Sequence, residues 1–128
     1  MQGIVEAKNV SFTYGNKTVP TVCKINFSIN KGDFILITGQ SGCGKSTILK
    51  MLNGLIPHES GGSFSGDIYI AGKNTRDFSI ADLSSMIGLV FQSPEDQIFS
   101  ATIFDEVAFV LENMGLETEQ IKLRVQEV

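Results

Sequence analysis

The chain has 128 residues, with 10 Lys and Arg against 14 Asp and Glu, for a formal net charge of −4. That length holds one domain at most, and 42% hydrophobic residues are enough to build its core. The acidic balance and the lack of a basic stripe exclude nucleic acid as the expected partner, and no apolar run reaches the about 18 residues that span a bilayer.

Residues 1–8, MQGIVEAK, show no apolar leader region, so the chain is expected to stay in the cytoplasm. Cys23 and Cys43 do not make a disulfide framework and read as reduced thiols.

Residues 4–14 alternate loosely and place Val10, Phe12 and Tyr14 on one face. Gly15, Asn16 and Lys17 then read as a hairpin turn. From 22 to 29, Ile25, Phe27 and Ile29 alternate with Lys24, Asn26 and Ser28. That period of two predicts a half-exposed antiparallel strand. Tyr14 closes the first strand. It either packs as an ordinary strand aromatic or stacks on an adenine ring.

Residues 33–38, DFILIT, predict a strand buried on both faces, centred on Phe34 to Ile37. Residues 39–47 read GQSGCGKST and fit the pattern G-x-x-x-x-G-K-[ST]. The pattern has a physical reason. Gly39, Gly42 and Gly44 let the backbone take positive φ and approach an anion closely. Successive N–H groups, from Gln40 and Ser41 through Cys43, then form a nest for phosphate oxygens. Lys45 brings a point charge to the outer phosphates, and the Ser46 hydroxyl is a hard ligand for Mg²⁺. Cys43 within this loop is either a small tolerated residue or a reactive thiol.

After the loop, Ile48, Leu49, Met51, Leu52 and Leu55 fall at helical spacing, closed by Gly54 and Pro57. The helix dipole then lies under the phosphates. Residues 57–66 read as a loop, which makes the sole histidine, His58, a solvated loop residue. Residues 67–71 predict a short strand, 80–84 a helical turn, and 86–91 a second buried strand. Gln92 ends that strand, where open α/β sheets bind ligands. Its amide either reaches a metal or water, or simply caps the loop.

Thr102 to Asp105 read as a capping-box variant that opens a helix through Val107, Val110, Leu111 and Met114, stopped by Gly115. Phe99, Phe104 and Phe109 sit near its start, either as core, the default at helical spacing, or as an exposed docking groove. Thr118 is expected to cap a last helix with the stripe Ile121, Val125 and Val128.

Tyr14, the loop 39–47 and Gln92, in this order and at these separations, resemble the ATP-binding subunit of ATP-binding-cassette transporters. Residues 92–109, QSPEDQIFSATIFDEVAF, and the opening VEAKNVSFTY of residues 5–14 are similar to the ATPases of energy-coupling-factor importers, the cobalt- and vitamin-uptake type. The resemblance implies an α/β P-loop NTPase core with an antiparallel β subdomain. It implies ATP and Mg²⁺ as cofactors. Tyr14 would stack adenine, and Gly39, Gln40, Ser41, Gly42, Cys43, Gly44, Lys45, Ser46 and Thr47 would wrap the phosphates. Ser46 and Gln92 would hold Mg²⁺, with Gln92 sensing the γ-phosphate. The segment through Phe109 would receive a helix of a transmembrane subunit, and a second ATPase subunit would complete the dimer, peripheral on the inner face of the membrane.

The family's signature motif, its Walker B strand with the catalytic Glu, and its switch histidine fall downstream of the Q-loop region and are not among these residues. Residues 60–63, SGGS, precede Gln92 and cannot stand in for the signature. Residues 1–128 therefore resemble the N-terminal part of the nucleotide-binding domain, expected to bind ATP without hydrolysing it. The alternatives are a cassette ATPase of the repair or translation type, a P-loop small-molecule kinase, or a non-catalytic nucleotide-binding module. The acidic balance disfavours the first. Arg76 and Arg124, the only arginines, make an Arg-rich kinase lid hard to build.

Overall fold

The period-two segments near the N-terminus fold as the hairpin their alternation dictates. The computed structural model describes residues 3–128; Met1 and Gln2, part of the stretch read for a leader, lie outside the described residues. Strand β1, Val5–Tyr14, pairs antiparallel with β2, Val22–Ile29. On its other side β1 pairs antiparallel with β3, Gly62–Ile70, and β3 carries the short β4, Lys73–Asn74. Among the described residues these strands form one sheet in the order β2-β1-β3-β4. The described residues divide into two compact units, one ending at Leu89 and one beginning at Val90.

In the first unit the buried face of the sheet presents Val10, Phe12 and Ile68. Helix α1, Lys45–Leu52, covers it with Met51 and Leu52, and the short α2, Leu55–His58, adds Ile56. Each large side chain buried there contributes about 1.5–3 kcal/mol. Helix α3, Ile80–Ser84, starts on a full capping box: the Ser79 hydroxyl accepts from the Asp82 N–H, and the Asp82 carboxylate accepts from the Ser79 N–H.

Several expectations need correction here. Residues 57–66 are not a loop throughout, because β3 begins at Gly62 and runs beside β1, pairing Ser63 with Thr13 and Ser65 with Ser11. The glycine serves close packing: a Cβ on Gly62 would lie 2.4 Å from the Thr13 carbonyl oxygen and 2.9 Å from the Phe12 ring. Leu55 is not in α1 but begins α2. His58 is exposed, as expected, but it ends α2 rather than standing in a loop, with Nε2 3.0 Å from the Thr75 carbonyl oxygen.

Residues 33–38 and 86–91 form no strand among the described residues. Phe34 is 94% exposed and Leu36 76%. A strand buried on both faces needs neighbours to supply its backbone ladder and cover its side chains. No described strand pairs with either segment. Residues 35–38 instead border an apolar cavity of about 450 Å³ lined also by Phe27, Ile29, Ile48 and Leu52.

The second unit holds a 3₁₀ turn, Pro94–Gln97, and two helices, α4, Ile103–Asn113, and α5, Thr118–Gln126. Thr102 caps α4 by accepting from the Asp105 N–H at 3.1 Å. Asp105 returns the contact to the Thr102 hydroxyl at 2.7 Å rather than to its backbone N–H, so the box is half formed. Gly115 ends α4 at φ +73°, with its own N–H donating to the Glu112 carbonyl and the Leu116 N–H to the Leu111 carbonyl. That pair of bonds satisfies two of the orphan carbonyls of the helix end.

Thr118 is the first residue of α5 and not its cap; Glu117 holds that position without a side-chain bond. Of the predicted stripe, Ile121 is buried, Val125 half-buried and Val128 exposed beyond the helix end. The default placing Phe99, Phe104 and Phe109 in a core is also overturned: all three are exposed. One helix and one turn cannot cover every face of α4, so within this unit only Ala108 and Ile121 are buried.

Candidate functional site

The loop of residues 39–47 takes the backbone its composition demands. Gly39, Gly42 and Gly44 stand at φ +151°, +80° and +102°, a region that L side chains rarely adopt. A Cβ on Gly39 would sit 2.7 Å from the Cys43 sulfur. A Cβ on Gly44 would sit 2.9 Å from the Thr21 carbonyl oxygen and 3.2 Å from Val22 Cγ2, so the loop ends braced on the start of β2. The Cys43 N–H donates to the Gln40 carbonyl at 3.3 Å and closes the turn.

Gly44 is the N-cap of α1, in the left-handed region and with no side-chain cap. The first turn of α1 carries no acidic residue. Its N–H groups therefore have no carboxylate competing for them, and the helix start is open to an anion. The Lys45 ammonium donates to the carbonyls of Gly39 and Gln40, each at 2.8 Å, and lies 3.8 Å from the Cys43 sulfur. The cation is thus held against the loop itself. Ser46 next to it is exposed, while Thr47 is 6% exposed. Cys43 is free and exposed, as is Cys23.

Tyr14 stands beside this helix start. Its hydroxyl lies 3.3 Å from Thr47 Oγ1. Its ring meets Phe12 edge-on at 4.7 Å between centroids, and the Lys17 ammonium lies 5.8 Å from its centroid. The first unit therefore brings Tyr14 together with residues 39–47. Gln92 belongs to the second unit, exposed, just before the 3₁₀ turn.

These features fit a nucleotide phosphate chain: three glycines at positive φ, an uncapped helix start and a lysine. For a hard cation the fit is narrower. Among the described residues no group of three or more His, Cys, Asp or Glu could hold a metal ion. Mg²⁺ would then depend, within this unit, on the Ser46 hydroxyl and the phosphates themselves.

Two residues of the second unit escaped the sequence reading. Gln97 Oε1 accepts from the Phe91 N–H at 2.9 Å. Glu106 accepts from the amides of Ser100, at 2.9 Å, and Phe99, at 3.2 Å. The signal was available: an acid in a first helical turn can reach back to preceding amides, as a capping box does. Glu106 so fixes the segment that carries Phe99 against Phe109, edge-on at 4.7 Å.

The hydrogen bonds from Ser100, with a smaller contribution from the Phe99 amide, hold the Glu106 carboxyl below its ordinary value of 4.5. A carboxyl with a depressed folded-state value stabilises above its unfolded value and loses that contribution as pH falls through the folded one. Amide protection at Phe99 and Ser100 is therefore expected to hold near neutrality and to fall below about pH 4.5. In Glu106→Gln that pH dependence should vanish. Protection factors from hydrogen exchange, corrected for intrinsic rates, check this; a flat profile in the unaltered chain would refute it.

The family model described as ABC transporter matches residues 22–127. The chain belongs to the ABC transporter family. A putative ABC transporter ATP-binding protein of Methanosarcina acetivorans is 52% identical over 124 residues, covering 97% of this chain and 19% of the relative. Another, from Pyrococcus abyssi, is 48% identical over 123 residues, covering 96% of this chain and 44% of the relative. The chain thus spans less than half the length of either relative.

Among solved structures, CbiO1 from Clostridium perfringens, part of the ABC transporter complex CbiONQ, matches with a TM-score of 0.80 at 33% identity. The match covers 99% of this chain and 49% of CbiO1. The fold of this ABC transporter chain is accordingly that of an ABC ATPase, with the antiparallel sheet as its subdomain. Among the described residues no helix is long and apolar enough to cross a membrane.

Proposed function

We propose that residues 1–128 are the N-terminal part of the nucleotide-binding domain of an importer ATPase of the energy-coupling-factor type. The geometry of residues 39–47 carries this reading: three positive-φ glycines lead into an uncapped helix start, with the Lys45 ammonium 2.8 Å from two loop carbonyls. On this reading the loop amides and Lys45 hold the phosphates of ATP, and the Tyr14 ring stacks its base. Ser46 and Gln92 serve the Mg²⁺ that accompanies the nucleotide. When bound, that ion neutralises charge on the outer phosphates.

The chain's own residues bind and orient; they do not complete the reaction. Phosphoryl transfer depends on positioning and electrostatic stabilisation, so missing parts are not easily replaced. No apolar strand of these 128 residues ends in Asp-Glu. The complete protein would hydrolyse ATP as a dimer and couple that to uptake through a transmembrane subunit, on the inner face of the membrane. The exposed apolar surface of Ile98, Phe99, Ile103 and Phe104 supports a docking role for the second unit. The likeness to CbiO1, part of the CbiONQ complex, supports the importer class.

The chain is expected to bind Mg-ATP and to release no phosphate. An ATP titration by calorimetry and a phosphate-release assay on the same sample decide this. Turnover that disappears in Lys45→Ala would overturn the non-hydrolytic part, and absence of ATP binding would overturn the reading itself.

A further inference from the structure

Thr47 is one of two buried polar residues among the described residues, the other being Thr75. The Thr75 hydroxyl has no partner. The Thr47 hydroxyl has one, and it comes from another element: Tyr14, 33 positions upstream, at 3.3 Å. A threonine in a helix ordinarily turns its hydroxyl onto a carbonyl of the preceding turn. In the first turn of α1 that carbonyl would belong to the phosphate loop. Here the bond goes sideways to the sheet instead.

Tyr14 is well placed to act as a fixed post. It pairs with Gly62 in the β1–β3 ladder, and its carbonyl accepts from the Lys17 N–H at 2.9 Å. Its ring is set edge-on against Phe12, which is fully buried. Thr21, at the return of the same hairpin, donates its N–H to the Phe12 carbonyl at 2.8 Å and meets Gly44 closely. The turn end of the β1–β2 hairpin therefore grips the start of α1 at two points, Gly44 and Thr47. Lys45 and Ser46 lie between them.

We infer that Tyr14 is a positioning residue for the phosphate site, its hydroxyl setting the first turn of α1 through Thr47. The inference rests on the reading of residues 39–47 as a phosphate site and deepens it. One side chain then serves both ends of the nucleotide, with the ring offered to the base and the hydroxyl to the turn that meets the phosphates. A tyrosine that only stacked a base would have no influence on an anion lacking one.

Tripolyphosphate, which has no base, separates the two roles. Its affinity for the chain is measured by calorimetry beside that of ATP. Tyr14→Phe keeps the ring and its packing on Phe12, and is expected to weaken tripolyphosphate binding about two- to tenfold, the worth of one hydrogen bond. Thr47→Val should cost a similar factor, and the double variant no more than either single one. Thr47→Ser, which keeps a hydroxyl, should bind tripolyphosphate more tightly than Thr47→Val.

A spectroscopic readout stands beside affinity. The chain has two tyrosines and no tryptophan. In a Tyr69→Phe background, Tyr14 is the sole tyrosine, and its emission is expected to change on saturation with tripolyphosphate. Unchanged tripolyphosphate affinity in Tyr14→Phe, losses that multiply in the double variant, or emission indifferent to bound tripolyphosphate would each overturn the inference. An unaltered chain that binds neither ATP nor tripolyphosphate would fell the phosphate-site reading, and this inference with it.

Discussion

Lys45→Ala is expected to lower the ATP affinity of the chain about 10- to 100-fold while leaving its fold in place. A hydrogen bond to a charged group is worth about 1.5–3 kcal/mol, and each 1.4 kcal/mol or so is a factor of ten. The ammonium now rests on the carbonyls of Gly39 and Gln40, both in exposed backbone. Removing it returns those carbonyls to water and leaves no buried polar group unsatisfied, so the thermal midpoint should barely move. The residual affinity should also depend less on salt, because a point charge has been taken from the site. Lys45→Arg should not restore binding, since a planar fork cannot replace a compact ammonium at this point. Calorimetric titration at two salt concentrations, with a melting curve for each variant, makes the comparison. An ATP affinity unchanged in Lys45→Ala would place the phosphates elsewhere.

The phosphate loop could be read from the sequence because each of its residues answers a local demand. Positive φ needs glycine, the anion needs a cation, and a helix must follow; Gly42, Gly44 and Lys45 meet these without help from distant parts of the chain. The β1–β2 hairpin was legible for the same reason, since its alternating faces and its turn lie in one continuous stretch. What failed required knowledge of a neighbour. Residues 33–38 have the composition of a buried strand, but the pattern cannot provide the partner that would pair with it, and Phe34 stands 94% exposed. Gly62 and Ser63 look like a loop until β1 is laid beside them, when the missing Cβ becomes the space that Phe12 fills. The contact between Tyr14 and Thr47 was invisible for the complementary reason. Each residue had an adequate local explanation, and only the fold brings the two hydroxyls within 3.3 Å.

Gly44→Ala should be the most damaging of the alanine substitutions in the loop, for stability as well as for binding. All three loop glycines share positive φ, which costs an alanine about 1–2 kcal/mol. They differ in what the new methyl group meets. At Gly42 it meets nothing within 4 Å, so the conformational cost stands alone. At Gly39 it meets the Cys43 sulfur at 2.7 Å, the end of a side chain that can turn away. At Gly44 it meets the Thr21 carbonyl oxygen at 2.9 Å, which is backbone at the start of β2 and cannot turn. Overpacking of that kind adds about 1–3 kcal/mol. The expected losses are therefore about 1–2 kcal/mol for Gly42→Ala and about 2–5 kcal/mol for Gly44→Ala. Relief at Gly44 requires the start of α1 to move away from β2, which carries Lys45 and Ser46 with it. ATP binding should then fall even under conditions where the variant remains folded. Urea titrations of the two variants, each paired with an ATP titration, test the order. Equal stability losses at Gly42 and Gly44 would mean that the loop does not lean on Thr21. A Gly44→Ala chain that melts early but binds ATP normally would mean that the position of α1 does not govern the phosphate site.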